Sequence, residues 1–294
     1  MVVLQNMKFA FFGTPEIAAL VLDELALAEL IPSLIVTNPD APIGRKQVLT
    51  PPPAKVWANA HDVPVFQPST LRDPALLSPL TEFEWDLFVV VAYGKFIPEW
   101  LLQVPKHKTI NLHPSLLPKL RGASPIRSAI LEDMRETGVT VMLLDAELDH
   151  GPILAQLPAQ INKNNWPLPG RALDQELAFI GGKLLAESIP RWMSGSITPV
   201  EQNHALATFC TKIDKSMSEL NIDPFNLPTG DIAYQTFLKI CAFDGWPETF
   251  FIHESKRIKI KAAHLDETGT LRITRIVPEG KKEMDWLQYF QATL

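Results

Sequence analysis

Residues 86–92, DLFVVVA, are an almost uninterrupted apolar run and predict the strongest β-strand of the 294-residue chain. A strand without polar alternation is covered on both faces, as in the parallel sheets of α/β domains. Other apolar runs predict strands at residues 8–12, 33–37, 63–66, 109–112 and 139–144. Helices are predicted near residues 14–27, 54–60, 73–80, 124–133 and 171–189. This alternation predicts a doubly wound α/β domain with a mostly parallel sheet, in which ligands bind beyond the carboxyl ends of the strands.

Two polar residues mark the carboxyl end of the strand predicted at 109–112. Asn111 and His113 are two positions apart, so their side chains point to the same side of the sheet. The loop that follows reads PSLLPKLRGASP at 114–125, and its three prolines hold the backbone to a fixed path. The end of a parallel strand is where a catalytic pair is expected, so we regard Asn111 and His113 as candidate catalytic residues.

A second polar segment, DAELDHG at 145–151, follows the next predicted strand and offers Asp149 as a partner for His113. Such a set suits acyl transfer to an amine. Aspartate stabilises a protonated imidazole, histidine shuttles a proton near neutral pH, and the amide of Asn111 donates to an oxyanion. No G-x-S-x-G nucleophile pattern is present, so no covalent intermediate is indicated. On spacing alone, a capping or packed role for His113 is nearly as good an interpretation, and Asp149 by itself indicates little.

The composition excludes several other classes of protein. Proline outnumbers glycine by 26 to 14, which disfavours a glycine-built phosphate cradle. No G-x-G-x-x-G follows the first predicted strand, so a nicotinamide dehydrogenase is disfavoured too. The net charge of -6 excludes a strongly basic nucleic-acid-binding protein but leaves room for a local basic face.

Cysteine usage and the start of the chain favour a cytoplasmic protein. Cys210 and Cys241 have no zinc-type spacing, so we predict two buried free thiols and no metal site. The apolar runs are too short to cross a bilayer. The first six residues, MVVLQN, lack the features of a signal peptide, and Met7 is an alternative start. We therefore expect a soluble protein that does not associate with membranes.

From about residue 205 the pattern changes to short, partly alternating runs with Gly269 and Gly280 at turns, which predicts a small, mostly β domain. One of its strands places three basic side chains on one face and two isoleucines on the other. These basic residues are Arg257, Lys259 and Lys261. A phosphate-contacting face and a solvated outer face are equally good interpretations of this pattern.

Four separated motifs resemble those of the formyltransferases that use 10-formyltetrahydrofolate. They are FAFFGTPEIA at 9–18, VVVAYGKFIP at 89–98, NLHPSLLPKLRGASPI at 111–126 and LLDAELDHGPILAQ at 143–156. They occur in the family's order and cover about the first 190 residues. The resemblance implies a formyltransferase-like variant of the Rossmann fold, catalysis by Asn111, His113 and Asp149, and 10-formyltetrahydrofolate as co-substrate without a metal. It also implies that folate lies against Tyr93, Gly94, Phe96, Ile97, Ser115, Leu116, Leu117 and Pro118.

Two further stretches resemble the methionyl-tRNA formyltransferases within this family. They are the loop TNPDAPIGRKQVLTPPPAKVWA at 37–58, and the C-terminal KICAFDGWP at 239–247 with VPEGKKEMDW at 277–286. The resemblance implies a catalytic domain at 1–204 and an OB-like β-barrel domain that binds tRNA at 205–294. It implies formyl transfer to the α-amino group of methionyl-initiator-tRNA for translation initiation, by a monomer. Arg45 and Lys46 are the predicted tRNA contacts of the loop, and Arg257, Lys259 and Lys261 those of the second domain.

Two alternatives stay open at this point. A sugar-nucleotide N-formyltransferase shares the Asn/His/Asp set, although the loop at 37–58 and the barrel-like ending argue against it. A catalytically silent protein that binds tRNA or folate is the other alternative, and the intact catalytic set argues against it.

Overall fold

The computed structural model describes residues 7–44 and 46–291, and of Gln291 it describes only the backbone. The α-helices in this part of the chain are α1 (Glu16–Leu27), α2 (Pro53–Ala60), α3 (Ser78–Thr81), α4 (Glu99–Leu102), α5 (Pro125–Leu131), α6 (Gly170–Met193), α7 (Gly230–Ala242) and α8 (Trp286–Gln291). The strands are β1 (Phe9–Gly13), β2 (Leu34–Val36), β3 (Ala41–Ile43), β4 (Val48–Thr50), β5 (Val65–Phe66), β6 (Leu87–Val91), β7 (Thr109–His113), β8 (Arg121–Gly122), β9 (Gly138–Leu143), β10 (Ile153–Pro158), β11 (Phe209–Cys210), β12 (Phe250–His253), β13 (Lys256–Leu265), β14 (Leu271–Pro278) and β15 (Met284–Asp285).

Contacts between Cα atoms divide the chain into two compact units. Unit 1 holds residues up to Gly122 together with Glu136–Ala159 and Gln175–Phe209. Unit 2 holds Ala123–Arg135, Gln160–Asp174 and the residues from Cys210 onwards. The domain limits of 1–204 and 205–294 stay a prediction.

A seven-stranded sheet forms the centre of unit 1, in the order β10-β9-β7-β6-β1-β2-β5. The strands β1, β2, β5, β6 and β7 pair in parallel, so the predicted α/β fold with a mostly parallel sheet is confirmed. Every residue of β1, β6, β7 and β9 is buried, as expected for apolar strands covered on both faces. The carboxyl ends of β6 and β7 lie side by side, with Val90 next to Asn111.

The strand predicted at 139–144 is present as β9, but it runs antiparallel to β7. Its last residue, Leu143, pairs with Ile110, and Thr140 pairs with His113. The polar segment 145–151 therefore starts beside the amino-terminal end of β7 and not beside its carboxyl end. The apolar pattern of β9 reports burial on both faces and contains no signal for strand direction.

The loop at 37–58 contains a two-stranded antiparallel hairpin, β3 and β4, with Ile43 opposite Val48. An ion pair anchors its base, where Lys55 Nζ lies 2.8 Å from Asp40 Oδ1. Gln67 also donates to Asp40 Oδ1, at 2.9 Å. The hairpin therefore projects from a fixed base.

In unit 2, the strands β12, β13, β14 and β15 form an antiparallel sheet, which confirms the predicted β-rich C-terminal region. Alternating residues of β13 and β14 pack with α7 and α8 around one apolar cluster, which includes Ile258, Ile260, Leu271, Ile273, Ile276, Trp286 and Phe290. Both cysteines are buried, as predicted, and neither forms a disulfide. No helix in the described part of the chain is long and apolar enough to cross a membrane.

Candidate active site

Asn111 and His113 lie at the carboxyl end of β7, on the same face of the strand. Both are almost completely buried, with exposed fractions of 8% and 4%. The Asn111 side chain has no hydrogen-bond partner among the described residues, whereas buried amides are normally satisfied. Its amide is therefore available to a bound molecule.

The imidazole of His113 has two different neighbours. Its Nε2 lies 2.9 Å from the main-chain oxygen of Leu120, and its Nδ1 lies 3.7 Å from Asp149 Oδ2. Because a carbonyl oxygen only accepts, Nε2 donates to Leu120 and carries the proton of the neutral ring. The lone pair of the neutral ring is then on Nδ1, which is the nitrogen that gains and loses a proton.

The carboxylate of Asp149 is held in place at this distance. Its Oδ2 accepts a hydrogen bond of 2.7 Å from the main-chain N–H of Gly122. Its side chain is mostly buried, and its backbone adopts a φ of 46°, which is uncommon for a residue other than glycine. The carboxylate of Asp149 therefore faces Nδ1 of His113 from a fixed position. The structure thus brings together the three predicted catalytic residues, although Asp149 arrives from the far end of β9.

The predicted folate loop after β7 is held by side chains that sequence reasoning missed. Thr140 Oγ1 donates to Ser115 O at 2.7 Å and accepts from Leu117 N at 3.1 Å. Gln156 Nε2 donates to Leu117 O at 2.7 Å. Thr140 on β9 pairs with His113 on β7, so only the register of the sheet reveals its role. Ser115 and Leu117 are buried, and Leu116 and Pro118 are half-buried.

The second predicted folate segment follows β6. Here Tyr93 is a core residue, 2% exposed and edge-on to Phe12 with 5.5 Å between ring centroids. Burial raises the pKa of Tyr93 to about 12. Ile97 is buried too, whereas Gly94 and Phe96 are exposed. Of the four predicted residues, Gly94 and Phe96 offer side-chain or backbone surface to a ligand.

The predicted tRNA contacts fall on two elements. Arg45 lies outside the described residues, and Lys46 is exposed at the turn between β3 and β4. Arg257, Lys259 and Lys261 lie on β13 in unit 2.

All three basic residues of β13 have intramolecular partners. Lys259 and Lys261 each bond one carboxylate oxygen of Glu248, and the Arg257 guanidinium lies 3.6 Å from the centroid of the Phe250 ring. Burial raises the pKa of Glu248, but the bonds to the two lysines outweigh this and hold its pKa below the ordinary value. The carboxylate is therefore charged at neutral pH and neutralises part of the basic face. The alternating pattern of β13 could not predict Glu248 as their partner, because Glu248 lies outside this strand.

Within residues 7–44 and 46–291, no group of three or more His, Cys, Asp or Glu side chains is placed to hold a metal ion. The chemistry of the site comes from one amide, one imidazole and one carboxylate at the end of a parallel strand. This arrangement defines a class of α/β enzyme that moves a small acyl group with a proton shuttle.

Comparisons with known proteins agree with this class. The sequence model of the family described as "Formyl transferase" matches residues 7–184. A methionyl-tRNA formyltransferase of Halalkalibacterium halodurans is 36% identical over 302 residues, which cover 95% of this chain and 92% of that protein. One of Staphylococcus aureus is 36% identical over 276 residues, which cover 94% of this chain and 85% of that protein. The chain belongs to the formyl transferase family, among the methionyl-tRNA formyltransferases.

Solved structures show the same fold at much lower sequence identity. A sugar N-formyltransferase from Shewanella sp FDAARGOS_354 has a TM-score of 0.64 at 15% identity, covering 87% of this chain and 97% of that one. HypX from Aquifex aeolicus, solved in complex with tetrahydrofolic acid, has a TM-score of 0.65 at 14% identity, covering 97% of this chain and 47% of that one. Likeness at this level of identity concerns the fold alone.

The hydrogen bond from His113 to Leu120 predicts a single tautomer. At a pH where the ring is neutral, the proton should be on Nε2, because the carbonyl of Leu120 accepts and cannot donate. ¹⁵N NMR of histidine-labelled protein measures this, with His113 assigned by the signal lost in His113→Gln and the exposed His264→Gln as control. A ring protonated on Nδ1 would contradict the geometry.

Proposed function

We propose that this protein transfers the formyl group of 10-formyltetrahydrofolate to the α-amino group of methionine on charged initiator tRNA. The observation that carries the proposal is the cluster of Asn111, His113 and Asp149. Within the described part of the chain the Asn111 amide has no hydrogen-bond partner, and the Nδ1 of His113 faces a carboxylate. Relatives named methionyl-tRNA formyltransferase match almost the full length of the chain, which supports the proposal. The site supplies the donor, the proton shuttle and the anion that such a transfer needs.

The residues at the strand ends fit a folate. Gly94 is exposed with a φ of 80°, and no atom lies within 4 Å of the position of a Cβ there, so a flat ring can approach its backbone. The exposed Phe96 and the half-buried Leu116 offer apolar surface. When bound, 10-formyltetrahydrofolate supplies a formyl carbon that an amine can attack.

Asn111 is proposed to hold the formyl oxygen. Its side-chain amide donates to this oxygen as negative charge develops on it. Because Asn111 has no other partner among the described residues, the amide needs no rearrangement before it donates. Its burial excludes water, which strengthens the interaction.

His113 is proposed to accept the proton of the methionine amine on Nδ1 as the new carbon–nitrogen bond forms. The same proton then passes to the folate nitrogen that leaves the formyl carbon. Asp149 stabilises the imidazolium between these two events, and Leu120 keeps the ring in one orientation throughout. The proton that the amine loses is therefore the proton that the leaving nitrogen gains, and one imidazole carries it.

The acceptor distinguishes the proposed function from transfer to an amino sugar. We expect purified protein, given charged initiator tRNA, an amino-sugar nucleotide and 10-formyltetrahydrofolate together, to place the formyl group on methionine. Mass spectrometry of both acceptors measures the outcome, and Asn111→Ala serves as the inactive control. Formylation of the sugar nucleotide alone would contradict the proposal and establish the alternative.

We also propose that the hairpin of β3 and β4 and the basic face of β13 contact the tRNA backbone. Arg45, which lies outside the described residues, is a predicted contact, and Lys46 is exposed at the turn of the hairpin. On β13, Glu248 competes with phosphate for Lys259 and Lys261, because it already bonds both ammonium groups. Two different elements therefore carry the electrostatic part of binding, within a chain whose net charge is -6.

Removal of the competing carboxylate should strengthen binding to tRNA. We expect Glu248→Gln to raise the affinity at low salt, since two ammonium groups become available to phosphates. We expect Lys46→Ala to weaken binding and to lower the slope of log affinity against log salt by about 0.9 for one lost phosphate contact.

Filter binding or fluorescence anisotropy over a salt series measures both effects. Glu267→Gln is the matched control, because it removes the same charge from an exposed position. An affinity that rises equally in Glu267→Gln and Glu248→Gln would show that only net charge matters. Salt slopes that stay unchanged in Lys46→Ala would remove the hairpin from the interface.

Three finer features belong to the same proposal. The four-stranded sheet of unit 2 is proposed to be an OB-like barrel that binds tRNA, which is supported by the register shifts of β13 between Ile260 and Ala263, since bulges bend strands towards closure. The protein is proposed to act as a monomer. It is also proposed to act in the cytoplasm.

A further inference from the structure

Arg121 and Gln202 form a buried polar pair in unit 1, and each is only 4% exposed. Gln202 Oε1 accepts from Arg121 Nη2 at 2.6 Å and from Arg121 Nε at 3.2 Å. Arg121 Nη2 also lies 2.8 Å from His204 Nδ1. A buried guanidinium is costly unless its donors are paired, so these contacts hold both side chains in one arrangement.

The other end of Gln202 reaches the segment that carries Asp149. Its Nε2 donates to the main-chain oxygen of Asp149 at 2.9 Å and to that of Gly151 at 2.8 Å. Arg121 has only donors and the two carbonyls only accept, so the orientation of the Gln202 amide is determined by its partners. One side chain thus fastens the backbone on both sides of His150.

This segment needs to be fastened, because its backbone is constrained. Asp149 has a φ of 46°, in the left-handed region that costs free energy for a residue other than glycine. At Gly151, a Cβ would lie 2.1 Å from the main-chain oxygen of Leu143, so the chain passes directly over the end of β9. Hydrogen bonds from Gln202 compensate for that strain at the residue whose carboxylate faces His113.

Three consecutive residues connect this pair to the rest of the site. The oxygen of Leu120 orients His113, the side chain of Arg121 holds Gln202, and the N–H of Gly122 donates to the carboxylate of Asp149. Asp149 is therefore held at two points, with its carboxylate bound by Gly122 and its carbonyl by Gln202. Gly122 makes the first of these contacts itself, and Arg121 holds the Gln202 side chain that makes the second.

We propose that Gln202, held by Arg121, is a positioning residue that sets the Asp149 carboxylate against His113 Nδ1. The proposal rests on the proposed function of the site, and no contact of Gln202 with substrate is involved. It assigns to Gln202 an effect on the rate of formyl transfer, and none on the binding of folate or tRNA.

The variant Gln202→Glu separates positioning from mere anchoring of Arg121. A glutamate has the same size and still accepts from the guanidinium, but it cannot donate to the carbonyls of Asp149 and Gly151. We expect kcat to fall by about tenfold to a hundredfold, as for a displacement of a reacting group by about an ångström, while the KM values for both substrates stay unchanged. The ¹⁵N signals of His113 should shift in the same variant.

Gln175→Glu is the matched control, because Gln175 is exposed on α6 in the same unit. A kcat for Gln202→Glu equal to that of wild type and of Gln175→Glu would overturn the positioning role. A change in KM alone would overturn it as well. Should Gln202→Glu not fold, Gln202→Met replaces it, because a methionine side chain of similar length cannot donate to the carbonyls of Asp149 and Gly151. The same fall in kcat is expected, and a wild-type kcat overturns the proposal.

The two proposals fail in distinguishable ways. A wild-type protein that formylates no charged tRNA overturns the proposed function, whatever the variants do. A wild-type protein that formylates it, with Gln202→Glu equally fast and the His113 signals unmoved, overturns only the role of Gln202.

Discussion

The hydrogen bond from His113 Nε2 to the carbonyl of Leu120 is the constraint on which the site depends. It assigns the proton of the neutral ring and leaves Nδ1 as the nitrogen that can react. Leu120 in turn is held by the hydroxyl of Thr208, which accepts from its N–H at 2.9 Å. Since Leu120 also has a φ of 57°, the carbonyl reaches the ring only in this strained turn. A main-chain carbonyl thus orients the imidazole on its Nε2 side, and Asp149 faces its Nδ1 side.

The loop that follows His113 is also held mainly by its own backbone and by a few side chains. Proline restricts φ in the segment after His113, and Thr140 and Gln156 satisfy its polar backbone groups. Such a loop loses little conformational entropy when a substrate binds, because folding has already ordered it. The prolines of this loop contribute to the excess of proline over glycine in the composition. The basic face of unit 2 is different, since both of its lysines bond the carboxylate of Glu248.

Much of this could be predicted from sequence. The unbroken apolar run at 86–92 indicates a covered strand, and the spacing of Asn111 and His113 places both on one side of the next strand. The direction of β9 could not be predicted, because apolar residues on both faces carry no directional signal. The burial of Tyr93 could not be predicted either, because it depends on contact with Phe12 of β1. Gln202 stands alone in a polar stretch, and its role arises only where distant segments meet.

We expect His113 and Asp149 to act as one unit, and a double-mutant cycle measures the coupling between them. Single-turnover formylation of charged initiator tRNA is measured for His113→Gln, Asp149→Asn and the double variant. Each single variant should slow the reaction by about a hundredfold or more, and the double variant should be no slower than the worse single one. Effects of the two substitutions that multiply would show that His113 and Asp149 act independently, and would overturn their assignment as one unit.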